Sequence, residues 1–237
     1  MPRINTQYRG RFAPSPTGPL HLGSLIAALA SFLDTRRCAG HWLVRMEDLD
    51  PPREEPGAAD SILHSLKCHG LHWDEPVLYQ STRSAAYTTA LAALAQGGHL
   101  FSCDCSRGKL DADGVCRGDC RTRQQTIADP WAIRAIVPSD CAIRFADLLQ
   151  GPQHTALGAS LADFVVRRKD GLHAYQLAVV VDDAAQGITH VVRGSDLLDS
   201  TPRQIFLQQR LAYATPSYAH LPVITTGQGQ KFSKQNH

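Results

Sequence analysis

Between Tyr8 and Met46 the hydrophobic pattern changes period twice. Tyr8–Ala13 (YRGRFA) alternates in the manner of a short strand. PSPTGPLHLG follows with no period, and its prolines and glycines mark a turn. From Ser24 the spacing becomes helical, with Leu25, Ile26, Leu29, Phe32 and Leu33 on one broad apolar face. Ser24 or Gly23 suits the helix start and Arg36 and Arg37 suit its end. Gly40 stops it, and His41–Met46 (HWLVRM) predicts the next strand. Strand, Gly-containing turn, helix and strand make a βαβ unit, right-handed with parallel strands.

Pro51 and Pro52 break the chain after the acidic EDLD. The spacing then predicts helices over Pro56–His69 and Ser81–Gly97. Residues 99–123 are Cys-rich and loop-like. Short β-like runs (WAIRAIV, CAIRFADLL, DFVVRR) fill 131–168 and suggest an inserted α+β subdomain. Helix and strand patterning resumes in AYQLAVVVDDAAQGITHVVRGSD, and a further helix is expected over Pro202–Tyr213. The expected plan is a nucleotide-binding α/β domain in two halves, residues 1–98 and 171–237, separated by a small insertion at 99–170.

Composition narrows the class only slightly. With 237 residues, 43% apolar and 19% charged, the chain is an ordinary globular protein. A net charge of +2 neither demands nor excludes a nucleic acid, since a local basic face suffices. MPRINTQYRG lacks the apolar core of a secretory leader, and Leu25–Leu33 is too short to cross a membrane. A cytoplasmic location is expected, where the seven cysteines stay reduced. Cys103, Cys105, Cys116 and Cys120 follow a C-x-C, ten-residue gap, C-x3-C spacing. Their neighbours are too polar to bury four thiols, so zinc is the expected occupant. Four protein ligands leave no open position, which makes the zinc structural. Cys38, Cys68 and Cys141 are solitary and read as small buried hydrophobes. Arg107, Lys109, Arg117, Arg121 and Arg123 flank the cluster and can meet an RNA backbone or simply solvent.

A βαβ unit places its helix N-terminus at the carboxyl edge of the sheet, where ligands bind. Gly18 and Gly23 permit close approach of backbone to ligand. The amides of Ser24–Ile26 are expected to face an anion, with His21 as a further donor. Arg11 offers a bidentate guanidinium for a carboxylate, with Arg193 as a second candidate. Glu47 and Asp48, at a strand end, suit an ammonium, and Tyr175 offers a hydroxyl. Taken singly, each has an ordinary explanation as a salt bridge, cap or core residue.

Taken together they carry a resemblance. PSPTGPLHLGS resembles the "HIGH" element of class I aminoacyl-tRNA synthetases in its glutamate-specific form, and KFSK resembles the companion "KMSKS" loop. The resemblance implies a Rossmann-like catalytic domain with a zinc-bearing α+β insertion. It implies that His21, Gly23, Ser24, Lys231 and Lys234 bind ATP, with magnesium, and that His21 and Lys234 are catalytic. Arg11, Phe12, Ala13, Pro14, Ser15, Glu47, Tyr175 and Arg193 fall where that family holds L-glutamate. Ser24 stands where the element has its second histidine, so no imidazole acts there.

The chain ends at KFSKQNH, where glutamyl-tRNA synthetases continue into an anticodon-binding domain. With PPREEPGAAD and the C-x-C insertion, this resembles the shortened branch of the family, which usually runs a few dozen residues further. What that implies is a monomer that activates glutamate without tRNA. It would then transfer glutamate to the queuosine base in the anticodon of tRNA(Asp). The alternatives are a truncated glutamyl-tRNA synthetase charging the 3′ end of tRNA(Glu), a non-catalytic zinc-dependent RNA-binding module, or an adenylyltransferase for another carboxylate.

Overall fold

The computed structural model describes residues 7–110, 114–116, 119–123, 130–160 and 163–223. The chain begins β1 (Arg9–Phe12), α1 (Leu22–Arg37), β2 (His41–Met46), α2 (Ala58–Cys68), β3 (Leu78–Tyr79) and α3 (Ser84–Gln96). It continues with β4 (Leu100–Cys103), β5 (Ala132–Ala135), β6 (Ile143–Asp147), β7 (Gly151–Thr155), α4 (Leu157–Ser160) and β8 (Phe164–Arg167). The last described elements are α5 (Tyr175–Ala185), β9 (His190–Gly194), α6 (Thr201–Arg210) and β10 (Ser217–Leu221).

Seven strands form one sheet in the order β3-β2-β1-β9-β10-β6-β7. The first six are mutually parallel, and the register runs from Gly10↔Trp42 to Gly10↔His190 and from Val191↔Tyr218 to Tyr218↔Asp147. The order reverses between β1 and β9, so the carboxyl ends of these two strands flank the switch point where such sheets bind ligands. β4, β5 and β8 form a separate antiparallel sheet. The β6–β7 hairpin lies within the 99–170 stretch but extends the large sheet through β10. β7 (GPQHT) carries no apolar alternation, and two-residue β3 has no room for any. β10 (SYAHL) is polar enough to pass for loop.

β2 shows why the sheet is covered on both faces. Trp42, Val44 and Met46 pack with Ile62 and Leu66 of α2, while Leu43 packs with α3 and α5. Such a strand reads as one apolar run, not as an alternation. Trp42 meets Phe32 of α1 edge-on at 5.2 Å and donates its indole N–H to Ser31 Oγ at 2.9 Å. α5 is buried from Leu177 to Asp183. Its two aspartates sit near the helix C-terminus, where the helix dipole disfavours negative charge, so nearby cations are required.

The solitary cysteines depart from expectation. Cys38 and Cys68 are exposed and Cys141 is half-buried. Cys38 is the cap residue beyond the last turn of α1, and Cys68 ends α2 on its solvent side, 3.4 Å from His64 Nε2. Both positions follow helix periodicity rather than the usual preference of thiols for the interior.

Candidate active site

The turn between β1 and α1 is held at both ends. Glu47 N–H donates to Pro14 O at 2.8 Å and Glu55 N–H to Pro16 O at 3.0 Å. Gly18 sits at φ 116°, a conformation that only glycine adopts without strain. α1 starts at Leu22, earlier than the periodicity suggests, because His21 caps it. His21 Nδ1 accepts the Ser24 amide at 3.2 Å, and His21 O accepts the Leu25 amide at 3.0 Å. The amides of Ser24 and Leu25, expected to face an anion, are therefore engaged. Those of Leu22 and Gly23 lie in the first turn, where the helix supplies no acceptor. With Nδ1 accepting, the ring proton belongs on Nε2, which lies 3.0 Å from Ser24 Oγ.

Above the switch point lies a cavity of about 760 Å³. Arg11, Phe12, Ala13, Pro14, Ser15, His21, Gly23, Ser24, Glu47, Tyr175 and Arg193 all line it. Asp48 does not; its carboxylate accepts the Ser81 amide at 2.9 Å and the Ser81 hydroxyl at 2.6 Å. Lys231 and Lys234 lie outside the described residues. At the rim, Asp50 pairs with Arg53 and, at 3.3 Å, with Arg168 just beyond β8. That pair ties the smaller sheet to the cavity.

Beneath the cavity is a charge network that motif reading missed. Asp183 accepts from Arg11 Nε at 3.2 Å and lies 2.8 Å from Arg45 Nη2. Arg45 is 0% exposed, and its Nη1 donates to Gln186 Oε1 at 2.8 Å. Neighbouring Asp182 accepts from Gln80, Arg83 and Tyr87 at 2.7–3.1 Å. Burial pulls the Asp183 carboxyl upward, but Arg11 and Arg45 outweigh it and hold the group below the usual carboxylate range. Glu47 shows the opposite balance. Burial raises it above its ordinary value despite Arg45 and Arg11. Arg45 Nη2 is 3.6 Å away, and Glu47 Oε1 has no hydrogen-bond partner.

The two candidate arginines differ in their remaining capacity. Arg11 uses one donor, on Asp183, among the described residues. Arg193 donates Nε to His220 at 3.0 Å, Nη1 to Tyr175 OH at 3.3 Å, and Nη2 to Thr201 Oγ1 and Gln204 Oε1 at 2.8 Å each. A guanidinium has five N–H groups, so Arg193 keeps about one for a ligand while Arg11 keeps a fork.

The cysteine cluster assembles away from this cavity. The four Sγ atoms of Cys103, Cys105, Cys116 and Cys120 lie within 4.8 Å of one another. Cys105 Sγ is 3.6 Å from Cys116 Sγ and 3.5 Å from Cys120 Sγ. Ligands about 2.3 Å from a tetrahedral zinc stand about 3.8 Å apart, so the set fits a zinc ion. Lys169 Nζ donates to Asp104 O at 2.8 Å, and Arg123 pairs with Asp104 at 2.9 Å. Arg121 reaches Asp163 at 3.4 Å, so these two basic residues already have acidic partners.

Residues 7–237 match the tRNA synthetases class I (E and Q), catalytic domain. The chain belongs to this family. It is 55% identical over 235 residues to the glutamyl-Q tRNA(Asp) synthetase of Thiobacillus denitrificans, covering 95% of this chain and 77% of that protein. It is 52% identical over 238 residues to the glutamyl-Q tRNA(Asp) synthetase of Geobacter sulfurreducens, covering 96% and 76%. Among solved structures it is similar to the glutamate tRNA ligase of Elizabethkingia meningosepticum in complex with its amino acid, with TM-score 0.85 and 28% identity. The match covers 98% of this chain and 52% of that ligase, so the chain spans about half its length. The family is one of ligases built on this parallel sheet. No helix among the described residues is long and apolar enough to cross a membrane.

Proposed function

We propose that this synthetase-family chain activates L-glutamate with ATP in the cavity, without tRNA, and then transfers the glutamyl group to the queuosine base of tRNA(Asp). The observation that carries the first step is the pairing of a buried guanidinium with one donor engaged, Arg11, and a buried carboxylate oxygen with no hydrogen-bond partner among the described residues, Glu47 Oε1. An amino acid with an acidic side chain supplies the complement of both. Its side-chain carboxylate takes the Arg11 fork, with the last Arg193 N–H and the Tyr175 hydroxyl beside it. Its ammonium takes Glu47, whose buried charge is costly until it is paired. Phe12, Ala13, Pro14 and Ser15 shape the wall between these groups.

ATP lies over the α1 N-terminus in this account. The first-turn amides of Leu22 and Gly23 meet the phosphates, and the Ser24 hydroxyl and His21 Nε2–H exchange their 3.0 Å contact with each other for the phosphate oxygens. One oxygen of the glutamate α-carboxylate attacks the α-phosphorus, and the bond from that phosphorus to pyrophosphate breaks. Lys231 and Lys234 balance the charge gathering on the leaving group, to which a magnesium ion carried in with ATP would add. Cys103, Cys105, Cys116 and Cys120 would hold a zinc ion that fixes the insertion, apart from the chemistry. The chain acts as a cytoplasmic monomer. The acceptor rests on the similarity to the glutamyl-Q tRNA(Asp) synthetases.

ATP–pyrophosphate exchange tests the activation step. Exchange with glutamate alone, and none with glutamine or aspartate, is the expected result. Exchange only after RNA is added, or none from folded protein, refutes it.

A further inference from the structure

Arg193 is held from behind by groups that never reach the cavity. His220 lies on β10, and its Nε2 faces Arg193 Nε at 3.0 Å. Its Nδ1 is 2.5 Å from Asp147 Oδ2 at the end of β6. Asp147 Oδ1 accepts three main-chain amides, from Leu149 at 3.0 Å, Gln150 at 2.8 Å and His220 at 3.1 Å. His220 is 0% exposed and Asp147 3%. The β6–β7 hairpin, itself far from any motif, thus reaches the site through one imidazole.

The two neighbours of that ring demand the same tautomer. A carboxylate only accepts, so Nδ1 carries the proton. A guanidinium only donates, so Nε2 must offer its lone pair. A second ring proton would point at Arg193. The groups around the ring agree with a neutral form: burial and Arg193 lower its proton affinity, against the pull of Asp147. Thr201 Oγ1, 3.1 Å from Nε2, and the Tyr218 ring stacked at 6.0 Å complete its surroundings.

We infer that Asp147 and His220 are positioning residues for glutamate recognition, fixing the Arg193 guanidinium through the Nδ1–H tautomer of His220. This rests on Arg193 being a glutamate ligand. Asp147→Asn is the incisive change. The Asn oxygen keeps the three amides, and its NH2 then faces Nδ1. The ring is driven to the Nε2–H tautomer, donor against donor with Arg193. The glutamate KM should rise on the order of tenfold with the ATP KM nearly unmoved, and stability should fall by about 1–3 kcal/mol, as for a buried charged hydrogen bond made neutral. Imidazole 15N shifts of the ligand-free protein should show Nδ1–H in the parent and Nε2–H in the variant.

A second pair guards against misfolding. His220→Asn keeps a partner for Asp147 but leaves Arg193 Nε without an acceptor, whereas His220→Gln places its amide oxygen near the Nε2 position. His220→Gln should recover much of the glutamate KM lost in His220→Asn. Equal KM values in Asp147→Asn and parent, an Nε2–H signal in the parent, or no rescue by Gln overturns the inference. A parent without glutamate exchange refutes the functional proposal instead, and the ring-nitrogen shifts then decide the tautomer on their own.

Discussion

Asp183→Ala probes the charge network under the cavity. Asp183 is the one acceptor of Arg11 among the described residues and the closest anion to Arg45. Arg45 is 0% exposed and cannot turn to water when the carboxylate goes, while Arg11, 3% exposed, meets solvent only through the cavity it lines. Arg45 keeps Gln186 at 2.8 Å and Glu47 at 3.6 Å; among the described residues Arg11 keeps no other hydrogen-bonded side chain. Removing one partner of a buried pair costs about 3–5 kcal/mol, because the remaining charge stays desolvated. Against a total stability of about 5–15 kcal/mol, that is a large share. At about 2–4 °C per kcal/mol for a chain of this size, Tm falls by roughly 6–20 °C. Asp183→Asn keeps an acceptor without the charge and should lose about 1–3 kcal/mol. Urea denaturation followed by circular dichroism measures both. The network also predicts a functional effect: without Asp183, Glu47 is drawn toward Arg11 and Arg45, and the glutamate KM rises. A loss under about 1 kcal/mol for Asp183→Ala, or no difference between Ala and Asn, refutes this account of the network.

Glu47→Gln should separate stability from binding. Burial raises Glu47 in the folded state, so the fold binds that proton more tightly than the unfolded chain does, and its stabilising contribution is lost as pH rises through the folded pKa. Gln removes a charge that is costly at neutral pH. The variant's Tm should match or exceed the parent's at pH 7, with the gap closing in acid, while the glutamate KM rises roughly 10–100-fold, as for a lost charged hydrogen bond; a lower Tm at pH 7 contradicts it. Cys105→Ser should release the zinc and unfold the smaller sheet's edge; full metal content by elemental analysis counts against it. Lys234→Ala should slow adenylate formation by on the order of 100-fold with little change in glutamate affinity, as expected for a group acting on transition-state charge, and an unchanged exchange rate excludes that role.

Much of this was legible in the chain. The period change at Ser24 and the run HWLVRM place β1, α1 and β2 within a residue or two. The residues singled out at RFAPS, His21, Glu47, Tyr175 and Arg193 converge on one cavity. What stayed hidden has physical reasons. β7 is an edge strand held by pairing with β6, and β10, between β9 and β6, carries buried polar bonds, so neither shows an apolar period. Asp183 and Arg45 sit inside apolar runs, where a single charged residue looks like noise, although the DD pair in a wholly buried helix was a signal. Asp147 and His220 are far apart in sequence and meet only because β6 pairs with β10.

Locating the transferred glutamate tests the proposed function most directly. The protein is incubated with ATP, labelled glutamate and queuosine-containing tRNA(Asp), and the RNA is digested to nucleosides for mass analysis. Label on the queuosine nucleoside, absent when tRNA(Asp) lacks queuosine, is the predicted result. Label released with the 3′-terminal adenosine, or on tRNA(Glu), contradicts it.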